Sequence, residues 1–223
     1  MLESLIMSHL ILASGSPRRR EMLAWVGLSF DLRPVDADES TLPDESPAKY
    51  VARLADLKAR SAADGDGQAV LAADTTVADA DDILGKPGNA GEARAMLRRL
   101  RGHTHQVYTA LTVYLPQSGW LHDICCSQVP MRRYSDAEMD MYIASGDPMD
   151  KAGAYAIQNQ DFHPVTDFSG CFANVMGLPL CHLTRTLRAG SVELPVDVPR
   201  TCQDHLAYNC PVYQAVLAGR DIG

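Results

Sequence analysis

The sequence predicts an α/β protein in which helices flank a mixed β-sheet. Short apolar runs typical of buried strands alternate along the chain with amphipathic segments typical of helices. Two longer runs, 106–115 and 120–131, alternate apolar and polar residues and are joined by the turn sequence PQSG, which predicts an antiparallel hairpin. A hairpin within a strand–helix alternation favours a mixed sheet over a purely parallel one.

The first predicted elements are two strands with a helix between them. Residues 9–13 (HLILA) are an apolar run that predicts a buried strand, which the sequence SGSP then ends. Ser16 is suited to cap the following helix, and Pro17 to its first position, where its missing N–H costs nothing. This helix should end near Gly27, and a second strand is expected over 28–35, before the acidic loop VDADES.

The second helix opens with the same Ser-Pro pattern, at Ser46 and Pro47. Its apolar stripe continues two turns after Val51 to Lys58, which therefore shares the buried face. A lysine on such a face must either extend its ammonium outward or meet an anion.

The middle of the chain continues the alternation. Residues 69–73 (AVLAA) predict a buried strand with Asp74 and Thr75 at its carboxyl end. The segment 83–89 (ILGKPGN) is expected to be a turn-rich loop, and the apolar spacing after it predicts a helix from Ala93 to about Gly102.

Beyond the hairpin, Ser135 and Glu138 form a capping-box pattern that predicts a helix ending at Gly146. The segment DKAGAYAIQ is expected to be a loop entering a short strand. GLPL opens the last predicted helix, which should reach about Arg188. Residues 191–223 are rich in proline and are expected to be an appended tail without regular elements, which packs on the domain or on a neighbouring subunit. Residues 1–8 are expected to be a short leader before a domain spanning 9–190.

Composition excludes several classes of protein. The 223 residues suit one large domain or two tightly joined lobes, and the net charge of −8 argues against a nucleic-acid or anionic-membrane binder. The sequence lacks an apolar run of the roughly 20 residues needed to cross a bilayer, and its start does not resemble a signal peptide. Six cysteines without a CxxC pair favour reduced thiols and a cytoplasmic protein.

The sequence SGSPRR, at a predicted strand–helix junction, is a candidate phosphate cradle. Such a junction offers free backbone N–H groups, and Ser14, Ser16, Arg18 and Arg19 add hydroxyl and guanidinium donors suited to phosphate oxygens. The same residues also suit a capped surface helix with solvated arginines, and this motif alone does not separate the two interpretations.

Further candidates lie on other segments. Asp74 at the end of a buried strand could hold a metal or accept a proton from water, with Thr75 beside it, and Glu39 could be a second oxygen ligand. Lys58 and Lys86, the latter in a rigid Gly-Lys-Pro loop, could reach phosphates. Each residue alone has a structural explanation, as a turn cap or a solvated charge. Together they suit a triphosphate bound with Mg²⁺ or Mn²⁺.

Other catalytic classes find less support in the sequence. It contains no P-loop GxxxxGK[ST], and no GxSxG, HExxH or GxGxxG motif. Cys202, His205 and Cys210 could ligate zinc in principle, but their spacing matches no standard site and a fourth ligand is not evident.

Eight sequence blocks, in order, resemble the Maf family of nucleotide pyrophosphatases, also known as septum-formation inhibitors. The resemblance runs from about Leu10 to Leu187. The blocks are LASGSPRR, DADES, SPAKYVARLADLKA, AADTTV, ILGKP, GHTHQVYTAL, GDPMDKAGAYAIQ and NVMGLPL. Three positions depart from the family pattern, namely Arg101, Ala156 and Ala173, which bears on fine substrate preference.

The resemblance implies an elongated mixed sheet like that of the inosine-triphosphate pyrophosphatases, with the active site in a cleft between two lobes. It implies hydrolysis between the α and β phosphates, a divalent metal (Mg²⁺ or Mn²⁺) and a homodimer. Asp74 is the expected catalytic base, and Glu39 and Asp74 the metal ligands. The residues expected to bind substrate are Ser14, Ser16, Arg18, Arg19, Lys58, Thr75, Lys86, Lys151 and Gln158.

The block containing Lys151 and Gln158 is similar to the branch acting on dTTP and UTP. Two alternatives stay open on the sequence. One is hydrolysis of 7-methyl-GTP. The other is a regulator of cell division that binds nucleotide without turnover, although such a binder would have little use for Asp74.

Overall fold

The computed structural model describes residues 10–65 and 67–223. The predicted leader and His9 lie outside the described residues. The strands are β1 (Leu10–Leu12), β2 (Phe30–Leu32), β3 (Ala69–Asp79), β4 (Asp82–Leu84), β5 (Thr104–Leu115) and β6 (Gly119–Pro130). The helices are α1 (Pro17–Trp25), α2 (Pro47–Ala62), α3 (Ala90–Leu100), α4 (Asp136–Ala144), α5 (Phe172–Met176), α6 (Leu180–Ala189), α7 (Val198–Leu206) and α8 (Tyr213–Leu217).

The strands form one mixed sheet in the order β2-β1-β3-β5-β6, with β4 also paired to β3. The β2–β1 and β1–β3 pairs are parallel, whereas the pairs of β3 with β4, of β3 with β5 and of β5 with β6 are antiparallel. The predicted mixed sheet and the hairpin formed by β5 and β6 are therefore confirmed.

Two apolar cores lie at opposite ends of the long strands, so the protein has two lobes. In the first, Leu12, Leu23 and Leu183 pack with the amino-terminal half of β3 and the carboxyl-terminal half of β5. In the second, Val77 and Leu97 pack with residues of α4 and of the segment 154–165. Because β3 and β5 contribute to both cores, one continuous strand pair joins the lobes.

The edge of β3 opposite β5 is interrupted. The β1 strand pairs with residues 69–71 of β3, and β4 pairs with residues 77–79. Within the described part of the chain, no strand pairs with residues 72–76 on this edge. The loop after β1 and the loop after β4 therefore face each other across a gap in the sheet.

The α2 helix covers one face of the sheet. The even-numbered residues Val70 and Ala72 of β3 pack with Ala59 and Ala62 of α2, as the alternation of side chains along a strand requires. The odd-numbered residues of β3 point to the opposite face, where both α1 and α6 pack.

Several predicted boundaries are wrong. The third strand continues to Asp79, so Asp74 and Thr75 lie near its middle and not at its carboxyl end. The predicted loop 83–89 begins inside β4, a short strand that pairs with β3. The strand expected in DKAGAYAIQ is absent from the described chain, where two 3₁₀ turns, Asp147–Asp150 and Ala152–Ala154, take its place. Gly153 makes this possible because its φ of 68° is the left-handed region that favours glycine.

Residues 191–223 pack against the first lobe, as one of the two expected placements. The expectation that they lack regular elements is wrong, because they contain the helices α7 and α8. Pro199 lies in the first turn of α7, where proline is tolerated, so it opens a helix instead of interrupting one. Val192, Val198 and Cys202 belong to the first core. The ring of His205 stacks on Trp25 of α1, with centroids 4.5 Å apart.

Charged groups fasten the end of the chain. Arg185 of α6 donates to both carboxylate oxygens of Asp123 and to Asp221, and also to the carbonyl of Arg220 at 2.8 Å.

No helix in the described residues is long and apolar enough to cross a membrane. All six cysteines are free thiols.

A chain ending at Gly190 should be markedly less stable than the full chain. Its first core would lose Val192, Val198 and Cys202, and each large apolar side chain contributes about 1.5–3 kcal/mol when buried. Thermal unfolding and binding of an apolar dye measure the effect. Asp221→Ala removes only a largely exposed ion-pair partner and is the control; equal unfolding temperatures for the truncated and full chains would contradict the prediction.

Candidate active site

A cleft of about 600 Å³ lies at the gap in the sheet edge, between the two lobes. A volume of this size suits a ligand as large as a nucleotide. Ten of the sequence-predicted site residues line it: Ser14, Ser16, Arg18, Arg19, Glu39, Lys58, Thr75, Lys86, Lys151 and Gln158. Asp74 is buried and does not line the wall, but Lys58, which does, donates a hydrogen bond to its carboxylate.

The loop after β1 and the start of α1 form one wall of the cleft. The Ser16 hydroxyl accepts a hydrogen bond from the backbone N–H of Arg19 at 3.5 Å, which caps α1 as predicted. The Ser14 hydroxyl accepts from the backbone N–H of Ser16 at 3.2 Å. The amino terminus of α1 thus faces the cleft with its positive dipole end, a common arrangement for binding anions.

Arg19 is held in place by three acceptors. Its Nε donates to the Gly177 carbonyl at 2.8 Å, Nη2 to the Thr75 hydroxyl at 2.9 Å and Nη1 to Ser14 Oγ at 3.3 Å. Burial lowers its pKa, while Asp74 opposes this shift. Arg18, in contrast, is half-buried and forms no ion pair within the described residues, so its guanidinium is available to a ligand.

Lys58 bridges the two candidate acids. Its Nζ donates to Glu39 Oε1 and to Asp74 Oδ1, both at 2.6 Å. The predicted burial of this lysine on α2 is confirmed, because only 9% of it is exposed. Asp74 lies on the α2 face of the sheet, opposite to Thr75, and can approach the cleft only around the interrupted edge of β3.

The two carboxyl groups are shifted in opposite directions. Burial raises the pKa of Asp74, although Lys58 and Arg19 oppose the shift. Partial burial would also raise the pKa of Glu39, but the hydrogen bond from Lys58 and the charges of Lys58, Lys86 and Arg19 hold it below its usual range. The more basic carboxylate is therefore the buried one.

Lys86 reaches the cleft from the opposite side, on the loop after β4. The N–H of Gly153 donates to the Gly85 carbonyl at 3.0 Å and ties this loop to the 3₁₀ segment. A Cβ at Gly153 would lie 2.9 Å from both methyl groups of Val77, so the close approach of the 3₁₀ segment to β3 requires glycine at this position.

Lys151 and Gln158 lie at the second lobe but differ in their freedom. Lys151 is 8% exposed, and its Nζ contacts Asp150 Oδ1 at 2.6 Å and the carboxylate and carbonyl oxygens of Asp147. The geometry favours a role for Lys151 in shaping the loop, since its charge is already paired. Gln158 is exposed at the cleft wall.

Sequence reasoning missed the residues that support this site. Gly177 ends α5 at a φ of 108°, and a Cβ there would lie 3.5 Å from Arg19 Nε. Thr109 and Asn174 are fully buried and connect Thr75 to α5 through hydrogen bonds. The GLP sequence after α5 indicates a helix end, but nothing in the sequence indicates that the Gly177 carbonyl accepts a hydrogen bond from Arg19 of α1.

The donor set bears on a divalent metal. Glu39 and Asp74 supply carboxylate oxygens, which Mg²⁺ and Mn²⁺ prefer, but both also bind Lys58. No group of three or more His, Cys, Asp or Glu side chains in the described ranges is arranged to hold a metal, and this includes the Cys202–His205–Cys210 trio. Two carboxylates completed by ligand phosphates fit Mg²⁺, whereas a site made by protein groups alone does not.

Comparison of the sequence with known proteins identifies a family and several relatives. A model of the Maf-like protein family matches residues 9–190. The dTTP/UTP pyrophosphatase of Anaeromyxobacter dehalogenans strain 2CP-1 is 46% identical over 194 residues, covering 86% of this chain and 98% of the relative. That of Nitratidesulfovibrio vulgaris is 46% identical over 194 residues, covering 84% of this chain and 91% of the relative.

Solved structures offer a more distant likeness. The nucleoside-triphosphatase (dITP/XTP pyrophosphatase) of Mycobacterium abscessus matches 56% of this chain and 75% of its own, at 18% identity and a TM-score of 0.39. A HAM1 protein from Coxiella burnetii matches 57% of this chain and 75% of its own, at 18% identity and a TM-score of 0.42.

Lys58→Met should destabilise the protein at neutral pH, by about 3 kcal/mol, because it leaves the buried Asp74 carboxylate without its counter-ion. The raised pKa of Asp74 should rise further, so the folded protein binds the extra proton. Stability should then fall as pH rises through that folded-state pKa and recover as pH falls below it. Unfolding free energies measured from about pH 5 to 8 test both effects, because this range lies above the usual pKa of a carboxyl group.

Arg60→Met on the same helix is the control. Its ion pair with Asp56 and its contact with the Trp120 ring are both partly exposed, so stability should fall far less than in Lys58→Met, and equally at all of these pH values. A Lys58→Met protein as stable as this control at neutral pH would show that the buried pair is not needed.

Proposed function

This chain belongs to the Maf family, and we propose that it is a nucleoside triphosphate pyrophosphatase that converts dTTP or UTP to the monophosphate and pyrophosphate. The proposal places the reaction in the cleft between the lobes and includes a role in removing unwanted nucleotides from the pool. The single observation that carries it is the set of cations and acids around the cleft. Arg18, Arg19 and Lys86 face it from both lobes, next to two carboxylates bridged by Lys58.

Charge complementarity supports a triphosphate as substrate. The chain carries a net charge of −8, yet the cleft gathers basic side chains and the positive end of α1. A triphosphate carries about four negative charges, and departure of pyrophosphate concentrates further charge on the leaving oxygen. Cations fixed in advance stabilise that developing charge without reorganising during the reaction.

Asp74 is our candidate for the group that orients or deprotonates the attacking water. Burial makes it the more basic carboxylate of the pair, as a general base requires. Lys58 holds the carboxylate at 2.6 Å and faces the cleft itself, so it can contact a phosphate oxygen when substrate binds. Water adds to the α-phosphorus and the bond from that phosphorus to the oxygen bridging the α and β phosphates breaks. Pyrophosphate leaves with the bridging oxygen, Asp74 takes one proton of the water, and the other stays on the monophosphate.

Glu39 and Asp74 would hold a divalent metal together with phosphate oxygens. When bound, Mg²⁺ or Mn²⁺ supplies charge neutralisation on the phosphates. In the protein without ligand, Lys58 keeps the two carboxylates close together, because its ammonium offsets their mutual repulsion.

The second lobe offers surfaces for the nucleoside. Val77, Val107, Val175 and Tyr155 line the cleft with apolar surface on which a base can pack. The exposed amide of Gln158 provides one donor and one acceptor group, which matches the alternating edge of uracil or thymine. Together these features support a pyrimidine nucleotide as substrate.

The proposal extends to the setting of the enzyme. Six free thiols support a reducing compartment such as the cytoplasm. A homodimer stays a prediction from the family resemblance, and light scattering of the purified protein would test it.

With Mg²⁺ or Mn²⁺, the protein should release pyrophosphate and a monophosphate from dTTP or UTP, because basic side chains line the cleft from both lobes and suit a bound triphosphate. Chromatography of the products from a panel of nucleotides, including 7-methyl-GTP, measures both the bond and the preference. Release of orthophosphate and a diphosphate would show that a different bond is cut.

Asp74→Asn should lower turnover by about 100-fold or more, since it keeps the shape of the side chain and removes its basicity. Substrate binding should be affected less than turnover, because the arginines remain. Activity should also fall in acid as Asp74 gains a proton, with an apparent pKa above the usual carboxyl value. Steady-state measurements of turnover from about pH 4 to 9 would show this fall, because they begin near the usual carboxyl pKa and extend well above it.

The control for Asp74→Asn is Asp79→Asn. Asp79 lies on the same strand but binds Arg99 outside the cleft, so its loss should leave turnover unchanged. Near-normal turnover in a folded Asp74→Asn protein would remove Asp74 from the mechanism.

A further inference from the structure

Three buried or half-buried hydroxyl and carbonyl groups continue the hydrogen-bond network of Arg19 into the sheet. Arg19 Nη2 donates to Thr75 Oγ1 at 2.9 Å, and Thr75 Oγ1 lies 2.9 Å from Thr109 Oγ1. Thr109 Oγ1 lies 3.0 Å from the backbone carbonyl of Asn174, at which the chain of contacts ends. Thr109 is fully buried and does not line the cleft.

The direction of these hydrogen bonds follows from the chemistry of the groups. A guanidinium can only donate, a carbonyl can only accept, and each threonine hydroxyl has one hydrogen. All three contacts can be hydrogen bonds in only one way: Thr109 donates to the Asn174 carbonyl, and Thr75 donates to Thr109. The Thr75 oxygen then presents lone pairs to Arg19.

The end of this chain is itself fixed. The Asn174 side-chain amide donates to the Val107 carbonyl and to Ser127 Oγ, both at 2.9 Å. The same short segment supplies the Gly177 carbonyl that accepts from Arg19 Nε. Arg19 is therefore held to α5 directly through Gly177 and indirectly through the two threonines.

We propose that Thr109 is a positioning residue for triphosphate binding. Its hydroxyl fixes Thr75 as a hydrogen-bond acceptor and thereby holds the Arg19 guanidinium towards the phosphates. Without it, the Thr75 hydrogen is free to turn towards Arg19, where two donors would oppose each other. The role assigned to Arg19 rests on the proposed function, whereas its position in the cleft does not.

The test is binding of inorganic tripolyphosphate, measured by titration calorimetry, together with hydrolysis of UTP. Thr109→Val keeps the shape of the side chain and removes the hydroxyl. Binding and kcat/KM should weaken by about 10-fold or more, the effect of losing a hydrogen bond to a charged group. Thr109→Ser keeps the hydroxyl and should restore most of the loss.

Thr112→Val provides a matched control. Thr112 lies on the same strand and is equally buried, but its hydroxyl has no hydrogen-bond partner in the described residues. Removing that hydroxyl should leave binding and hydrolysis unchanged. If Thr109→Val does not fold, Thr109→Ala with Thr112→Ala gives the same comparison.

A double-mutant cycle separates positioning from a general structural effect. Lysine cannot reproduce the guanidinium contacts, so in an Arg19→Lys background Thr109→Val should weaken binding no further. Full additivity of the two substitutions would overturn the inference. So would tripolyphosphate binding by Thr109→Val equal to that of Thr112→Val, or a wild-type protein that binds no tripolyphosphate.

The two readouts also separate this inference from the proposed function. If the wild-type protein binds tripolyphosphate but releases no pyrophosphate from any nucleotide, the proposed function fails. In that case, weaker binding by Thr109→Val alone still supports the positioning role.

Discussion

The structure depends on one constraint: β3 pairs continuously with β5, while its other edge is interrupted. The pairing runs from Val70 to Ala78 and fixes both lobes on a common base. The interruption at residues 72–76 lets the loops after β1 and β4 approach each other from opposite ends. The cleft lies at this interruption, where the edge of β3 has no strand partner in the described chain and is open to a ligand or loop.

Burial of charge sets the chemistry available at this edge. Lys58 and Asp74 lie together on the α2 side of the sheet, and an isolated charge in either place would be strongly unfavourable. Lys58 forms ion pairs with both Asp74 and Glu39, and these pairs allow two acids and one cation to lie close together at this position. The same burial makes Asp74 the more basic carboxylate, so structural stability and the proposed catalytic role have one physical origin.

Arg19 shows how distant segments are joined at the site. Its acceptors come from the loop after β1, from β3 and from the end of α5, and the most distant of them, Gly177, is 158 residues from Arg19 in the sequence. Hydrogen bonds between threonines continue the network across β3 and β5 to α5. Because these contacts are fully or partly shielded from water, each lost partner leaves a polar group unsatisfied, and the guanidinium is held more firmly than a surface arginine.

The mixed sheet, the hairpin and most helices could be predicted from the sequence, since these follow from local periodicity and from caps such as Ser16 and Ser135. Ten residues that line the cleft were also predicted, among them Lys58 on its buried stripe, although Lys151 and Gln158 came only from the family resemblance. The mid-strand position of Asp74, the pairing of Lys151 with aspartates and the hydrogen bonds that link Thr109 through Thr75 to Arg19 became visible only in the folded structure. Strand pairing and ion pairing join residues far apart in sequence, so local periodicity carries no signal for them.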